Sequence, residues 1–510
     1  MKAPNILFIT SDQQHWRALG RNNPELQTPH LDRLASEGIY CERAYCPNPT
    51  CTPSRASLLT GQYPSRHGAW SLGTKLPESA PTIGQYLQEL GYDASLIGKA
   101  HFQPLVSTPE FPSLESYPLL RDLDYWRNFH GPFYGFNHVE LARNHADESH
   151  VGQHYALWME EKGLKNWRDH FQNSWGGGFD FSEGRPNPPQ THVWSLPEEF
   201  HYNNWITERS VERMNHCRGD GQPFFLWASY FDPHPPYLVP DPWASMYDPS
   251  CIAVPAAVPG EHDGNPPHIR KTQEKHPDFS YLQETKYTNH GCQSHLHDPD
   301  ALARDIAVYY GMTSMMDHYI GKLLKGLDEA GLADNTLVVF TSDHGHFFGQ
   351  HGLIAKGPFL YEDEVRVPLI AKWPGHIPAG RTTASLISLI DLPATFLRAA
   401  GSELPTLMQG IDQMPVWSGV TSAVRDHVLI ENRHQPTAIH QKSYVDSRYK
   451  LTLYYNQDYG EMFDLREDPG EIHNLWNDPK FGNLKSALVK KLVFAQMGCE
   501  PLWMPRVSGA

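Results

Sequence analysis

No stretch of this 510-residue chain approaches the ~20 consecutive apolar residues that a membrane-spanning helix requires. A basic excess is missing as well: Lys and Arg number 42 against 58 Asp and Glu, a formal charge of −16. Nucleic-acid binders carry the opposite footprint, so that class is excluded and no membrane or nucleic-acid partner is expected. Cysteine is scarce, with seven residues at no framework spacing. That excludes a disulfide scaffold and leads us to expect reduced thiols in a cytoplasmic protein. The opening run Asn5-Ile6-Leu7-Phe8-Ile9-Thr10 is too short for a signal peptide, and no small-residue cleavage site follows it. Repeats, coiled-coil heptads and low-complexity tracts are absent too. What is present is an apolar fraction of 40% with 12% aromatics, enough for a large core. Histidine (29) and proline (43) are abundant, pointing to polar site chemistry and many irregular loops.

The first hundred residues alternate strand-like and helix-like segments. Asn5–Thr10 and Ala94–Gly98 read as buried strands, and Thr28–Leu34 as a capped helix with proline in its first turn. Ser54–Leu59 begins another helix. Phe224–Tyr230 and Thr336–Phe340 are further strand-length apolar runs. Between them a helix from about Ala301 to Ala330 presents Ile306, Tyr309, Met316, Ile320, Leu323 and Leu327 at helical period. This alternation predicts an α/β fold, a doubly wound and mostly parallel sheet with helices on both faces. Residues 103–200 and 255–300 break the rhythm and read as insertions, the first bearing eight histidines between His130 and His201. After Gly401 the pattern changes to short strands at His427–Glu431, Arg448–Tyr455 and Glu461–Leu465, then a helix near Asn483–Gln496. We therefore divide the chain into a catalytic α/β domain, 1–400, and a smaller α+β subdomain, 401–510. The apolar tail Pro501–Pro505 suggests contact with a neighbouring subunit, hence a homo-oligomer.

Three constellations carry chemistry. Asp12-Gln13 follows the first strand, and Asp343-His344 follows the strand that begins at Thr336. Two such strand ends converging would offer oxygen and imidazole donors to a divalent cation. The third is Cys51-Thr52-Pro53-Ser54-Arg55-Ala56-Ser57-Leu58-Leu59-Thr60-Gly61. Cys51 reads as a buried small hydrophobe or as a thiolate activated at a helix N-terminus by the dipole and Arg55, and a third reading comes from resemblance. A phosphatase cradle of Cys, five residues, then Arg is excluded, because Ser57 stands where that arginine would be.

The eleven-residue run, with both metal-like pairs in order, resembles the type I, formylglycine-dependent sulfatases of the alkaline phosphatase superfamily, in the branch of arylsulfatases and phosphonate monoester hydrolases. Gly98-Lys99-Ala100-His101 is similar to that family's Gly-Lys-x-His, Asp232-Pro233-His234 to the segment with a sulfate-binding histidine, and Lys356 to its sulfate-binding lysine. The resemblance implies that a formylglycine-generating enzyme oxidises Cys51 to an aldehyde during maturation. It further implies that Asp12, Gln13, Asp343, His344 and the modified Cys51 hold one divalent cation. Ca²⁺ suits the oxygen donors best, with Mn²⁺ or Mg²⁺ as alternatives. Arg55, Lys99 and Lys356 would neutralise the transferring oxygens. His234, or after it Lys356, would protonate the leaving group, and His101 would take the remaining hydroxyl's proton. The expected substrate is a small anionic ester, a sulfate monoester first and a phosphonate monoester or phosphodiester second. Gln13 and His344 stand where many sulfatases carry charged or amide ligands, and Leu72 stands where many have an asparagine. Gln13 and His344 resemble phosphonate hydrolases and choline sulfatases, Leu72 implies that the asparagine's contact is missing, and Lys99 and His101 resemble sulfatases.

Overall fold

The computed structural model describes residues 3–172, 191–282, 290–433, 438–500 and 507. The tail Pro501–Pro505 lies outside the described residues. A nine-stranded sheet forms the centre. Its strands are β1 (Asn5–Ser11), β2 (Ile39–Tyr45), β3 (Asp93–Lys99), β4 (His138–Ala142), β5 (Phe224–Ser229), β6 (Thr336–Ser342), β7 (Arg366–Val367), β8 (Leu369–Lys372) and β9 (Arg381–Ser388). The order is β7-β2-β8-β6-β1-β5-β3-β4, with β9 also pairing β2. β1, β3, β4, β5 and β6 run parallel, and β8 is antiparallel to both its neighbours.

The period-two alternation of β1 shows why the sheet is buried on both faces. Ile6 and Phe8 join one core with Trp227, Val339, Leu58, Leu59 and Phe396. Leu7 and Ile9 join the other with Ala228, Phe340, Ile206, Met316 and Ile320. Helices α1 (Pro29–Ser36), α3 (Tyr202–Asp220) and α4 (Pro299–Glu329) cover the second face. Helices α2 (Cys51–Thr60) and α5 (Asp391–Ala399) cover the first. All six apolar residues expected along α4 are buried. A separate antiparallel sheet follows: β10 (His427–Asn432), β11 (Gln441–Asp446), β12 (Tyr449–Tyr454) and β13 (Gly460–Asp464). Helix α6 (Gly482–Gly498) buries Leu488, Leu492 and Ala495 against Leu429, Leu451 and Met462 of that sheet.

Three details depart from the sequence reading. Residues 103–200 are not purely a loop excursion, because β4 adds a parallel edge strand there. Its residues, His-Val-Glu-Leu-Ala, alternate too briefly to read as a buried run. Helix α2 begins at Cys51 rather than Ser54, which places the cysteine on the helix's first turn. Thr28 precedes α1 without capping it, since its hydroxyl serves Gly20 and Asp32 instead.

Candidate active site

The carboxyl ends of β1 and β6 lie side by side, with Ser11 in register with Ser342. The next residue on each strand is an aspartate, so Asp12 and Asp343 meet at the edge where open α/β sheets place their ligands. Gln13 turns back with a left-handed φ of 58° and donates its N–H to Asp343 Oδ1 at 3.0 Å. Helix α2 starts over this junction after an extended Thr50. Cys51 Sγ thereby lies 3.2 Å from His344 Nε2, 3.3 Å from Lys356 Nζ and 3.8 Å from Asp12 Oδ1. One turn along the helix, Arg55 donates from Nε to Asp343 Oδ2 (2.8 Å) and from Nη1 to Ser229 Oγ (2.8 Å) and Lys99 O (3.0 Å). Lys99 ends β3 and its ammonium sits against Asp12 Oδ2. Lys356 Nζ also donates to His234 Nε2 at 3.1 Å. His101 is buried with a left-handed φ of 60°, and its Nδ1 has no hydrogen-bond partner. All ten site residues taken from the sequence therefore fall in one cluster.

This donor set fits a divalent cation. Ligand atoms of Asp12, Cys51, Asp343 and His344 lie within 4.8 Å of one another. His344 Nδ1 is 3.0 Å from Gly345 O, which assigns its proton to Nδ1 and leaves the Nε2 lone pair free. Gln13 Nε2 donates to His346 Nδ1 at 2.7 Å, while Gln13 Oε1 is buried and accepts nothing. A buried carbonyl oxygen without a donor is costly, and a cation would satisfy it.

Opposing fields shape the protonation states. Burial raises the Asp12 carboxyl, but Lys99, His234 and the hydrogen bond from His145 together hold the group well below its ordinary value. Burial also raises the Cys51 thiol, yet Lys356, Lys99 and His344 pull it well below the usual range. Burial and the Asp12 carboxylate push Asp343 up, against His344 and Arg55. Burial, His145 and Lys356 push His234 down to about 3, so its imidazole is neutral. Lys356 goes the other way: Cys51, Asp12 and Asp343 overcome its burial and keep it protonated.

The structure adds His145 and Glu148, which the sequence did not single out, and gives His346, two residues past His344, its partners. His145, just past β4, lies 2.8 Å from Lys99 Nζ and 3.3 Å from Asp12 Oδ2, and its ring stacks on His234 with centroids 3.7 Å apart. Glu148 holds its Nδ1 at 3.0 Å. Among the histidines of 130–201, His130 instead stacks on His138 and lies tilted against His154, and His201 caps α3. His346 orients Gln13 and is itself fixed by Tyr237 OH at 2.9 Å. A separate cavity of about 530 Å³, lined by Trp16, Arg43, Asp363, Arg366 and Glu471 among others, includes none of the ten.

Comparison with known proteins bears on this geometry. The sequence model of the family described as Sulfatase matches residues 4–402. A second, described as N-sulphoglucosamine sulphohydrolase, C-terminal, matches 349–497. An arylsulfatase of Clostridium perfringens is 28% identical over 508 residues, covering 96% of this chain and 94% of its own. A multifunctional alkaline phosphatase superfamily protein of Trinickia caryophylli is 30% identical over 522 residues, covering 95% and 93%. Among solved structures, a phosphonate monoester hydrolase from Silicibacter pomeroyi superposes with a TM-score of 0.76 at 24% identity, over 98% of this chain and 96% of that one. That last likeness shows a shared fold.

Proposed function

This chain belongs to the sulfatase family of sulfuric ester hydrolases, and from that premise we propose that it hydrolyses small sulfate monoesters such as aryl sulfates. One observation carries the reading: Cys51 opens a buried helix in contact with both His344 and Lys356, beside the Lys99–Asp12 pair. Oxidation of Cys51 to formylglycine by a formylglycine-generating enzyme would supply an aldehyde hydrate as the oxygen nucleophile. A divalent cation at Asp12, Gln13, Asp343 and His344, Ca²⁺ by its oxygen donors, would lower the pKa of that hydroxyl.

The chain's own side chains do the rest. Arg55 has its Nε and Nη1 committed to Asp343, Ser229 and Lys99 O, so it holds the aspartate and balances its charge. Lys99 and Lys356 flank the position of the transferring group as preorganised cations in a buried site. His234 is neutral, with Nδ1 against Pro235 O and Nε2 accepting from Lys356. The proton for the leaving oxygen therefore resides on Lys356, and His234 orients it. His101, kept neutral by burial and by Arg143, is ready to accept the second hydroxyl's proton.

A second reading, phosphonate monoester or phosphodiester hydrolysis, draws support from the neutral ligands Gln13 and His344, which leave two formal negative charges among the four. The deciding experiment compares kcat/KM for sulfate monoester, phosphonate monoester, phosphodiester and phosphate monoester, all with one phenol leaving group. We expect the sulfate first, the two singly charged phosphorus esters as side activities and the doubly charged phosphate monoester slower. A phosphonate rate more than about tenfold above the sulfate, 1.4 kcal/mol of transition-state stabilisation, would replace the first reading by the second.

A further inference from the structure

Arg143 is a buried cation whose part in the steps above is limited to its field on His101. It follows the last residue of β4, Ala142, which is in register with Lys99 on β3. Adjacent strands lie about 4.8 Å apart, so Arg143 stands one strand over and one residue beyond the Lys99 position. Its side chain is 5% exposed, and its Nε is sealed without a hydrogen-bond partner. Among the described residues its nearest acceptor is Glu115 Oε2, at 3.4 Å. That carboxylate already accepts the backbone N–H groups of His101 (3.0 Å), Phe102 (2.9 Å) and Gln103 (3.1 Å), and it balances Arg143 as an ion pair without taking a hydrogen bond from its Nε. Glu148, whose field also reaches Arg143, is taken by His145. A buried guanidinium with its donors unspent is unfavourable unless something anionic arrives to accept from them.

The ester group itself is not what Arg143 awaits. Lys99, Lys356 and His234 already surround Cys51, and Arg143 makes no contact within hydrogen-bond distance with any of these. It lies a layer farther out, close enough that Cys51 and Asp12 still act on it through space and that, after burial, it is the next cause of His101 staying neutral. We propose that Arg143 is a specificity-determining residue that receives a second anionic group, a carboxylate or a second sulfate, carried on the alcohol half of the substrate near the ester. This rests on the sulfate-ester reading and narrows its substrates to esters of anionic alcohols. A planar guanidinium with several unspent N–H donors suits such a group better than a lysine would.

The test uses the metal-loaded, matured enzyme with phenyl sulfate and the three carboxyphenyl sulfates, ortho, meta and para. The wild type is expected to favour at least one carboxylated isomer over phenyl sulfate by about tenfold or more in kcat/KM, the scale of one charge-assisted hydrogen bond. Arg143→Met should bring that ratio to about one, the ratio being taken within each protein so that a change common to all four esters through His101 cancels. Arg143→Lys should restore part of the ratio. Equal rates for all four esters in the wild type, or equal loss on all four in Arg143→Met, would overturn the inference and leave the sulfatase reading standing. No turnover of any sulfate would overturn both. The wild-type ratio decides even if Arg143→Met fails to fold.

Discussion

Replacing Asp343 by asparagine isolates the interaction on which the cluster is built. Asp343 Oδ2 accepts from Arg55 Nε at 2.8 Å, and Oδ1 accepts the N–H groups of Gln13 (3.0 Å) and His344 (2.9 Å). Every lone pair in use faces a donor. An amide in the same place must turn its NH₂ toward either Arg55 or the two backbone N–H groups, so donor meets donor in both orientations. Arg55 and Asp343 are both 0% exposed, so no water relieves the mismatch. Breaking a buried ion pair by removing one partner costs roughly 3–5 kcal/mol. The Asp12 carboxylate, 3.9 Å from Arg55 Nη2, offsets some of this. We therefore expect Asp343→Asn to lose about 3 kcal/mol in urea unfolding with chelator present, at an unchanged m-value. Metal content should fall as well, because a hard cation loses a charged ligand. A loss below about 1 kcal/mol, or full metal occupancy by elemental analysis, would refute the reasoning.

Other outcomes follow from the same contacts. Lys356→Ala should slow phenyl sulfate by about 10²–10⁴-fold, the range for a general acid, and slow a nitrophenyl sulfate much less; equal losses on both would reject Lys356 as the proton donor. Arg425→Met should cost about 3–5 kcal/mol of stability, because Asp391 is fully buried and bonded by Arg425 Nε at 3.0 Å; a denaturant midpoint within error of wild type would contradict it. Glu140 offers a pH test. Burial raises its carboxyl, but His138 and Arg209 bring it from 4.5 down to about 2. A depressed folded pKa gives stability that is present above 4.5 and lost as pH falls toward 2. Glu140→Gln should therefore flatten the acid limb of the stability curve in that window, by up to about 3 kcal/mol; an unchanged limb would show that the pairing contributes nothing.

The central strands were legible because their runs are continuous and apolar. Asn5–Ser11 and Thr336–Ser342 are buried on both faces, so no polar residue interrupts the pattern. β4 and β11 were not. His138–Ala142 lies at a sheet edge, and Gln441–Asp446 alternates Gln, Lys and Ser with only Tyr444 and Val445 as apolar signals. The site residues were legible for a different reason: each stands in a short motif, mostly at a strand end or helix start, where position is set locally. His145 and Arg143 stand in no such motif, whereas His346 lies two residues past His344 at the same strand end. What brings the first two to the centre is the pairing of β4 onto β3, and what gives His346 its role there is its contact with Gln13 and Tyr237. One cue was available: the turn after any parallel strand that joins the sheet reaches the same edge. Recognising β4 would have pointed to Arg143 and His145.

The nucleophile is the claim everything else depends on, and it is open to direct measurement. Trypsin releases residues 44–55, with Cys51 inside, and mass spectrometry of that peptide from catalytically active protein reads the side chain. The account predicts that CH₂SH at position 51 is replaced by CHO or its hydrate, that the fraction converted tracks specific activity across preparations, and that Cys51→Ala is folded and inert. A fully active preparation whose peptide carries only the free thiol would contradict it.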